Sequence, residues 1–327
     1  MIKAYTFKGP NISELNLRTL ENNIDKAIWI DLYHPSVREE DYIEKLLGIN
    51  IPTREEMHEI ELSSRLYVRQ STLFATITIV TNINSLHPES HSVSFVLHGN
   101  CLISIRYVEE PSYEALFTRD KLDTSHEITG SYLLGIMLDH ITENLADTIE
   151  HISHKIEETS HQIFKYSYTN NGISKTGIPN FKNIISNIGL SEDLLSKARE
   201  SLFTLTRMLG FILQSPYYQD SEEKKQITTV MRDVTSLIEH ATFLSQKMTF
   251  LLDATLGMIN IEQSSIIKIV SVAAVVFLPP TLVASVYGMN FHYMPELDWY
   301  IGYPFAIFLM ILSGFLPYKL FKYKGWL

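Results

Sequence analysis

Cysteine is almost absent from this chain: there is one, Cys101, in 327 residues. A single cysteine forms no internal disulfide and cannot supply the several thiolates of a cysteine-based metal cluster. It lies in the apolar run Cys101-Leu102-Ile103-Ser104-Ile105, which predicts a buried β-strand. Folds held together by disulfides or by cysteine-ligated metal are therefore excluded.

Positive charge is also scarce, with 27 Lys and Arg against 37 Asp and Glu and a formal net charge of −10. No basic patch with interleaved aromatic residues is present, so nucleic acid is not an expected partner. A Walker A pattern and a Gly-rich phosphate loop are missing, which argues against a nucleotide. No Ser/His/Asp arrangement or spaced carboxylate pair indicates catalysis. We expect neither an enzyme nor a prosthetic group.

The N-terminus, Met1 to Pro10, lacks the apolar core of a signal peptide. Long apolar stretches occur instead near the C-terminus, from Ile266 to Val286 and from Ile301 to Phe321. Each has about the 20 residues that a helix needs to cross a hydrocarbon core of about 30 Å. We therefore predict a large polar body, left in the compartment where it is made, on a hairpin of two transmembrane helices.

Charge predicts the orientation of this hairpin. Lys319, Lys322 and Lys324 lie at the end of the second stretch, whereas the loop between the stretches has Glu296 and Asp298 and no Lys or Arg. Because Lys and Arg concentrate on the cytoplasmic side, both termini are expected inside the cell and the loop outside. The two loop carboxylates are expected to attract cations rather than to ligate them.

The body changes character near residue 128. Up to there, strand signals (Ile2 to Phe7, Ala27 to Leu32, Leu66 to Val80, His91 to Leu97, Cys101 to Tyr107) alternate with helical ones (Val37 to Leu47, Thr53 to Leu62). The predicted fold is an α+β cytoplasmic domain with long stalk helices and a two-helix transmembrane hairpin. Its segments are an α/β domain (1–128), long antiparallel helices (129–221), a stalk helix continuing into the first transmembrane helix (222–290, crossing at about 266–288), an external loop (291–299), a second transmembrane helix (300–321) and a basic tail (322–327).

Two regular patterns run along residues 222–290. The first is a seam at three-four spacing in the stalk, and it predicts packing against other helices; its members are Ile227, Val230, Val234, Leu237, Ala241, Leu244, Met248, Leu251, Thr255 and Met258. The second is a stripe of mostly small or polar residues, and it should face protein or water rather than lipid; it comprises Ser264, Ile267, Ser271, Ala274, Leu278, Thr281 and Ser285. Spacing alone fits helix packing and a pore equally well. A pore would need a ring of copies, and Pro279-Pro280 should interrupt the helix.

At Tyr287-Gly288-Met289-Asn290-Phe291 the chain resembles the CorA family of magnesium transporters, closest to the bacterial CorA proteins. Leu278 to Ser285, Met294-Pro295-Glu296-Leu297 and the tail ending Trp326-Leu327 match as well, and Glu59 to Arg65 matches in the more diverged body. The resemblance implies a funnel-shaped homopentamer in the bacterial inner membrane, in contact with the lipid bilayer. It implies passage of Mg²⁺, and of Co²⁺ and Ni²⁺ in many members, down the electrochemical gradient without ATP.

The resemblance also assigns roles. Gly288, Met289 and Asn290 would form the selectivity mouth, where a ring of neutral Asn290 oxygens accepts hydrogen bonds from the water around Mg²⁺. Gly288 would let the chain leave the helix, and Met289 is expected to pack, because its soft sulfur suits Mg²⁺ poorly. In the stripe, Thr281 would form the next polar ring, and Ile267 and Leu278 would close the pore by dewetting.

The resemblance also implies regulation. In the family, acidic residues at the interfaces between neighbouring cytoplasmic bodies bind intracellular Mg²⁺ and hold the channel closed. Asp233 resembles the stalk member of such a site. Its partner is not identifiable, because the corresponding region reads Thr81-Asn82-Ile83-Asn84. An alternative regulatory site is an acidic cluster on a short helix, made of Glu55, Glu56, Glu59 and Glu61. If it binds no ion, this cluster is simply the solvated face of that helix.

A second possible metal site lies on the first long helix, where five residues share a face at three-four spacing: Asp147, His151, His154, Glu158 and His161. They could ligate a transition metal, although polar helix faces of this kind are common. This face gives slight support to an alternative function, a zinc transporter of the same superfamily. A more distant alternative is a membrane-tethered sensor or enzyme, which would need no polar stripe.

Overall fold

The computed structural model describes most of the chain as two compact units, Met1–Leu252 and Asp253–Leu327. The described residues are 1–8, 11–16, 20–21, 23–59, 61–83, 85, 87–109, 113, 128–169, 180–218, 221–290, 292 and 294–324. Predictions that concern Ile60, Asn84, Phe291 and the Trp326-Leu327 tail lie outside them.

A mixed β-sheet organises the first unit, and its described part has seven strands in the order β2-β1-β3-β7-β6-β5-β4. The strands are β1 (Ile2–Lys8), β2 (Asn11–Glu14), β3 (Trp29–Tyr33), β4 (Leu66–Arg69), β5 (Thr72–Thr81), β6 (Glu89–His98) and β7 (Cys101–Arg106). Neighbours are antiparallel except β3 and β7, which are parallel, with Ile30 opposite Ile103. Cys101 lies in β7 as predicted, and burial raises the pKa of its thiol to about 12.

Helices cover both faces of this sheet. On one face lie α1 (Val37–Leu47) and α2 (Arg54–His58), and on the other α4 (Gly130–Thr169), α5 (Phe181–Ile212) and the first half of α6 (Ser221–Tyr287). The short helix α3 (Leu62–Arg65) leads into β4. The alternation of side chains along the strands fills two cores, one with Ile30 and Phe74 and one with Trp29 and Leu73. The result is a layered α/β body with three long helices.

Three details differ from the sequence prediction. The helix expected from Thr53 to Leu62 ends at His58, although Thr53 and Glu56 form a capping box at its start. The strand expected from Leu66 to Val80 is a hairpin, because Gln70 and Ser71 turn the chain with φ of 50° and 60°. The second transmembrane helix, expected over residues 300–321, runs from Gly302 to Tyr323.

The seam of α6 is buried inside its own chain. Ile227, Val234 and Leu244 are at most 1% exposed and join one core with residues of α4 and α5. At the start of α6, Glu223 accepts hydrogen bonds from the Thr129 and Ser131 hydroxyls at 2.7 and 3.0 Å. The predicted packing is confirmed, but its partners are helices of the same protomer. The seam therefore provides no argument for a ring of copies.

Candidate functional site

The second unit contains the end of α6 and α7 (Gly302–Tyr323). By length and composition both helices could cross a membrane. They meet where Gly314 of α7 lies against Val276 and Pro280 of α6: a Cβ on Gly314 would be 3.2 Å from both the Pro280 Cγ and the Val276 carbonyl oxygen. Absence of a side chain at residue 314 is what allows this approach.

The helix runs through both prolines and continues to Tyr287, so Pro279-Pro280 does not end it. A proline at position 280 has no N–H to donate to the Val276 carbonyl four residues earlier. That carbonyl points towards Gly314, which leaves room for it. The proline pair thus acts in helix contact and does not end α6.

The polar stripe lies on the opposite side of α6. The face in contact with α7 carries partly buried residues: Val272, Val276, Pro280, Val283 and Tyr287. All seven stripe residues are exposed, namely Ser264, Ile267, Ser271, Ala274, Leu278, Thr281 and Ser285. Since each helical residue advances by about 100°, the stripe is centred about 180° from the face that contacts α7. Packing against the chain's own second apolar helix is therefore excluded as the reason for the stripe.

The candidate mouth follows directly after α6. The Gly288 N–H donates to the Ala284 carbonyl at 2.9 Å, and the Met289 N–H donates to the Val286 carbonyl at 3.3 Å. Asn290 comes after these last helix-like bonds; it is exposed, and its side chain makes no hydrogen bond to the described residues. An unoccupied amide at a helix end is available for a ligand or for water.

Gly288 is the first residue beyond α6, and its place there depends on a short backbone distance. Its φ is not positive, unlike those of Gly48 and Gly99. A Cβ at Gly288 would lie 3.1 Å from the Ala284 carbonyl oxygen, closer than side chains normally approach. Glycine is favoured there by this short distance and not by a left-handed backbone.

The loop beyond the mouth contains a short 3-10 helix, Pro295–Asp298, with Glu296 and Asp298 in it. Gly302 begins α7 beside this turn, where its N–H donates to the Trp299 carbonyl at 2.9 Å. A Cβ on Gly302 would overlap the Glu296 carbonyl oxygen. The loop is thus compact, and its two carboxylates lie in one turn.

Asp233 is exposed on α6 and forms no ion pair with the described residues. Glu56, in the alternative acidic cluster, is occupied as the capping residue of α2, where it accepts hydrogen bonds from the Thr53 backbone and hydroxyl. No group of three or more His, Cys, Asp or Glu residues that could hold a metal occurs among the described residues.

The five polar residues on the predicted metal-binding face of α4 lie in different surroundings. Asp147 and His151 line a cavity of about 760 Å³ together with Asn82 at the end of β5. Glu158 lines a different cavity, and His154 lies 3.7 Å from Glu150, with both side chains largely exposed. His161 is exposed as well. The structure does not bring these five residues to one point.

Sequence reasoning missed the contact of Gly314 with Pro280 and a buried polar chain in the sheet. In that chain Trp29 Nε1 donates to Ser104, Ser104 donates to Asp31 at 2.8 Å, and Arg106 Nη2 donates to Asp31 at 2.9 Å. A glycine inside an apolar helix, as Gly314 is in α7, was a signal for close helix approach. No local pattern links Asp31 to Arg106, which are 75 residues apart.

The chain matches the family described as CorA-like Mg²⁺ transporter protein over residues 25–323. It belongs to this family. A relative from Pectobacterium atrosepticum, named magnesium transport protein CorA, is 36% identical over 327 residues and is covered completely, as is this chain.

The fold of this chain is also found in solved structures of other proteins. The complete CorA magnesium transporter from Methanocaldococcus jannaschii gives a TM-score of 0.79 at 18% identity, covering 100% of this chain and 99% of that one. The ZntB cytoplasmic domain from Vibrio parahaemolyticus gives 0.53 at 12% identity, covering 79% of this chain and 97% of that one. The predicted α/β body, long helix and two C-terminal apolar helices are thereby confirmed.

Proposed function

We propose that the protein carries Mg²⁺ into the cell through a pore that the α6 stripe lines in a ring of five copies, with Asn290 at its mouth. One observation supports this most: the stripe faces away from α7, and the helix that carries it leads directly into Gly288-Met289-Asn290. A polar stripe with no packing partner in the part of the chain that the structure describes requires water or other copies in a membrane.

The chemistry of Mg²⁺ suits this mouth. Mg²⁺ gives up its water shell reluctantly and demands octahedral geometry. Neutral amide oxygens can accept hydrogen bonds from that shell without holding the ion tightly. Further in, Thr281 offers a second polar ring, whereas Ile267 and Leu278 offer apolar rings that close by dewetting. A potential of 100 mV, negative inside, supplies about 4.6 kcal/mol for a double charge, so no nucleotide is needed.

Regulation by intracellular Mg²⁺ completes the proposal. Exposed carboxylates on neighbouring bodies, Asp233 among them, would be bridged by Mg²⁺ when the cytoplasmic concentration is high, and this would favour the closed ring. Both termini would be cytoplasmic, in a bacterial inner membrane. Co²⁺ and Ni²⁺, which hold water in similar octahedral shells, would be carried too.

A liposome flux assay tests the function. Purified protein should admit Mg²⁺ down its gradient, and Asn290→Ala should abolish uptake while the oligomer keeps its mass. Asn183→Ala is the matched control, because it removes the same side-chain amide from an exposed position on α5, and it should conduct. Wild-type uptake by Asn290→Ala would show that the mouth lies elsewhere, and absence of flux in the wild-type protein would favour a tether.

A zinc transporter is the second candidate, because the ZntB cytoplasmic domain shares the fold of the body. The full-length relative at 36% identity carries the magnesium name, which favours Mg²⁺. Competition among Mg²⁺, Co²⁺, Ni²⁺ and Zn²⁺ in the same liposomes separates the two: excess Co²⁺ should block Mg²⁺ entry, and Zn²⁺ flux exceeding Mg²⁺ flux would favour the zinc transporter.

A further inference from the structure

An apolar groove with a volume of about 470 Å³ runs between α6 and α7. Pro280 and Gly314 form its floor, and Ile311, Phe315 and Tyr318 form one wall. The wall residues are 66%, 56% and 41% exposed, although all three are large and mainly apolar. Helices that cross a membrane offer such a groove to hydrocarbon rather than to water.

The wall of the groove is aligned with a lysine near the end of α7. At about 100° per residue, Ile311, Phe315, Tyr318 and Lys322 fall within about 60° of one another on α7. At 1.5 Å per residue, Lys322 lies about 16 Å along the helix from Ile311. This is close to half of a hydrocarbon core of about 30 Å, and therefore to the depth of one leaflet.

The Lys322 side chain is exposed and forms no ion pair or hydrogen bond with the described residues. Lys324 is also exposed, but it lies on the other side of α7, about 150° from the wall. One lysine of the basic end of α7 is thus aligned with the groove, and a second, two residues later, is not.

We propose that this groove binds an anionic membrane phospholipid, with an acyl chain against Ile311, Phe315 and Tyr318 and the headgroup phosphate at the Lys322 ammonium. The length of the wall and the charge at its end match a lipid in one leaflet. An apolar helix from a second copy would fill the groove but would leave Lys322 without a counter-charge. The proposal depends on the hairpin lying in a membrane, as the proposed function does, but not on which ion is carried.

Native mass spectrometry of the full-length protein tests this, with added phosphatidylglycerol or phosphatidylcholine of identical acyl chains. The wild-type protein should retain phosphatidylglycerol in preference to phosphatidylcholine. Lys322→Gln should lower that retention about fivefold, the effect of one lysine at an anionic membrane surface. Lys324→Gln removes the same charge on the other side of α7 and should retain the lipid like the wild type, as should Lys322→Arg.

A variant that fills the groove, Ile311→Trp, should lose phosphatidylglycerol with Lys322 intact. Equal losses in Lys322→Gln and Lys324→Gln would mean diffuse attraction and would overturn the proposal. Equal retention of both lipids by the wild type, or retention unchanged by Ile311→Trp, would overturn it as well. Retained lipid is weighed directly, so a lack of Mg²⁺ flux in the same preparation would count against the proposed function alone.

Discussion

At the scale of single residues, the end of α6 depends on how close the backbone can come to itself. Because Gly288 has no side chain, no Cβ crowds the Ala284 carbonyl oxygen. Asn290 follows two residues later. A Cβ at 3.1 Å from that oxygen would shift the backbone by a few tenths of an ångström. In a ring, the same shift would be repeated in each copy, so all the distances between the Asn290 amide oxygens would change at once.

Gly288→Ala is therefore expected to reduce Mg²⁺ uptake roughly tenfold, since a misplacement of about 1 Å can cost about a hundredfold and the shift here is a few tenths of an ångström. Liposome flux measures the effect, and native mass spectrometry shows whether the oligomer is retained. Gly257→Ala is the matched control, because a Cβ at Gly257 meets nothing within 4 Å. Equal uptake rates for the two variants would show that Gly288 does not determine the geometry of the mouth.

At the scale of elements, the regular patterns predicted the helices well, and the turns and partners poorly. α1 has the predicted bounds, and α6 begins one residue before its predicted start at residue 222. The Gln70-Ser71 turn was missed because neither residue is the Gly or Asn that usually adopts positive φ. Three-four spacing showed that one face of α6 is buried, but could not show that α4 and α5 of the same chain bury it. The direction of the stripe depends on Gly314 meeting Pro280, which is a tertiary contact.

Gly314→Val should force α6 and α7 apart, because its Cβ would crowd the Pro280 ring and the Val276 carbonyl. Overpacking of this kind typically costs about 1–3 kcal/mol. A lower unfolding temperature in detergent would measure it. Gly189→Ala, where an added Cβ has open space, should leave that temperature nearly unchanged. Stability equal to the wild type in Gly314→Val would show that the close approach is not required.

At the scale of the whole molecule, the exposed stripe is the remaining reason for a ring, since the stalk seam is satisfied within one protomer. We expect native mass spectrometry in mild detergent to show five copies of the 37.6 kDa chain. The apolar and polar rings of the stripe close only when copies surround them. A stable monomer or dimer that still conducts Mg²⁺ would contradict this arrangement.

Gating is also a property of the assembly. Asp233→Asn should weaken inhibition by cytoplasmic Mg²⁺ and leave conduction through Asn290 intact. Coupling between such sites is typically about 1–3 kcal/mol, so several equivalent sites must act together for tight closure. Flux at varied internal Mg²⁺ measures the shift, with Glu239→Gln as a control for an exposed carboxylate on the same helix. Closure of both variants at the wild-type concentration would direct attention to Glu55, Glu59 and Glu61.

The burial of Cys101 determines which chemical probes this protein can accept. The residue is 7% exposed, and because the pKa of its thiol is about 12, almost none of it is thiolate at neutral pH. A thiol-reactive reagent will therefore pass over the native cysteine. Any cysteine introduced along the stripe, at Ser271 or Ser285 for instance, becomes the single reactive sulfur of the protomer. Water access to the inner wall can thus be followed position by position without first removing a native residue.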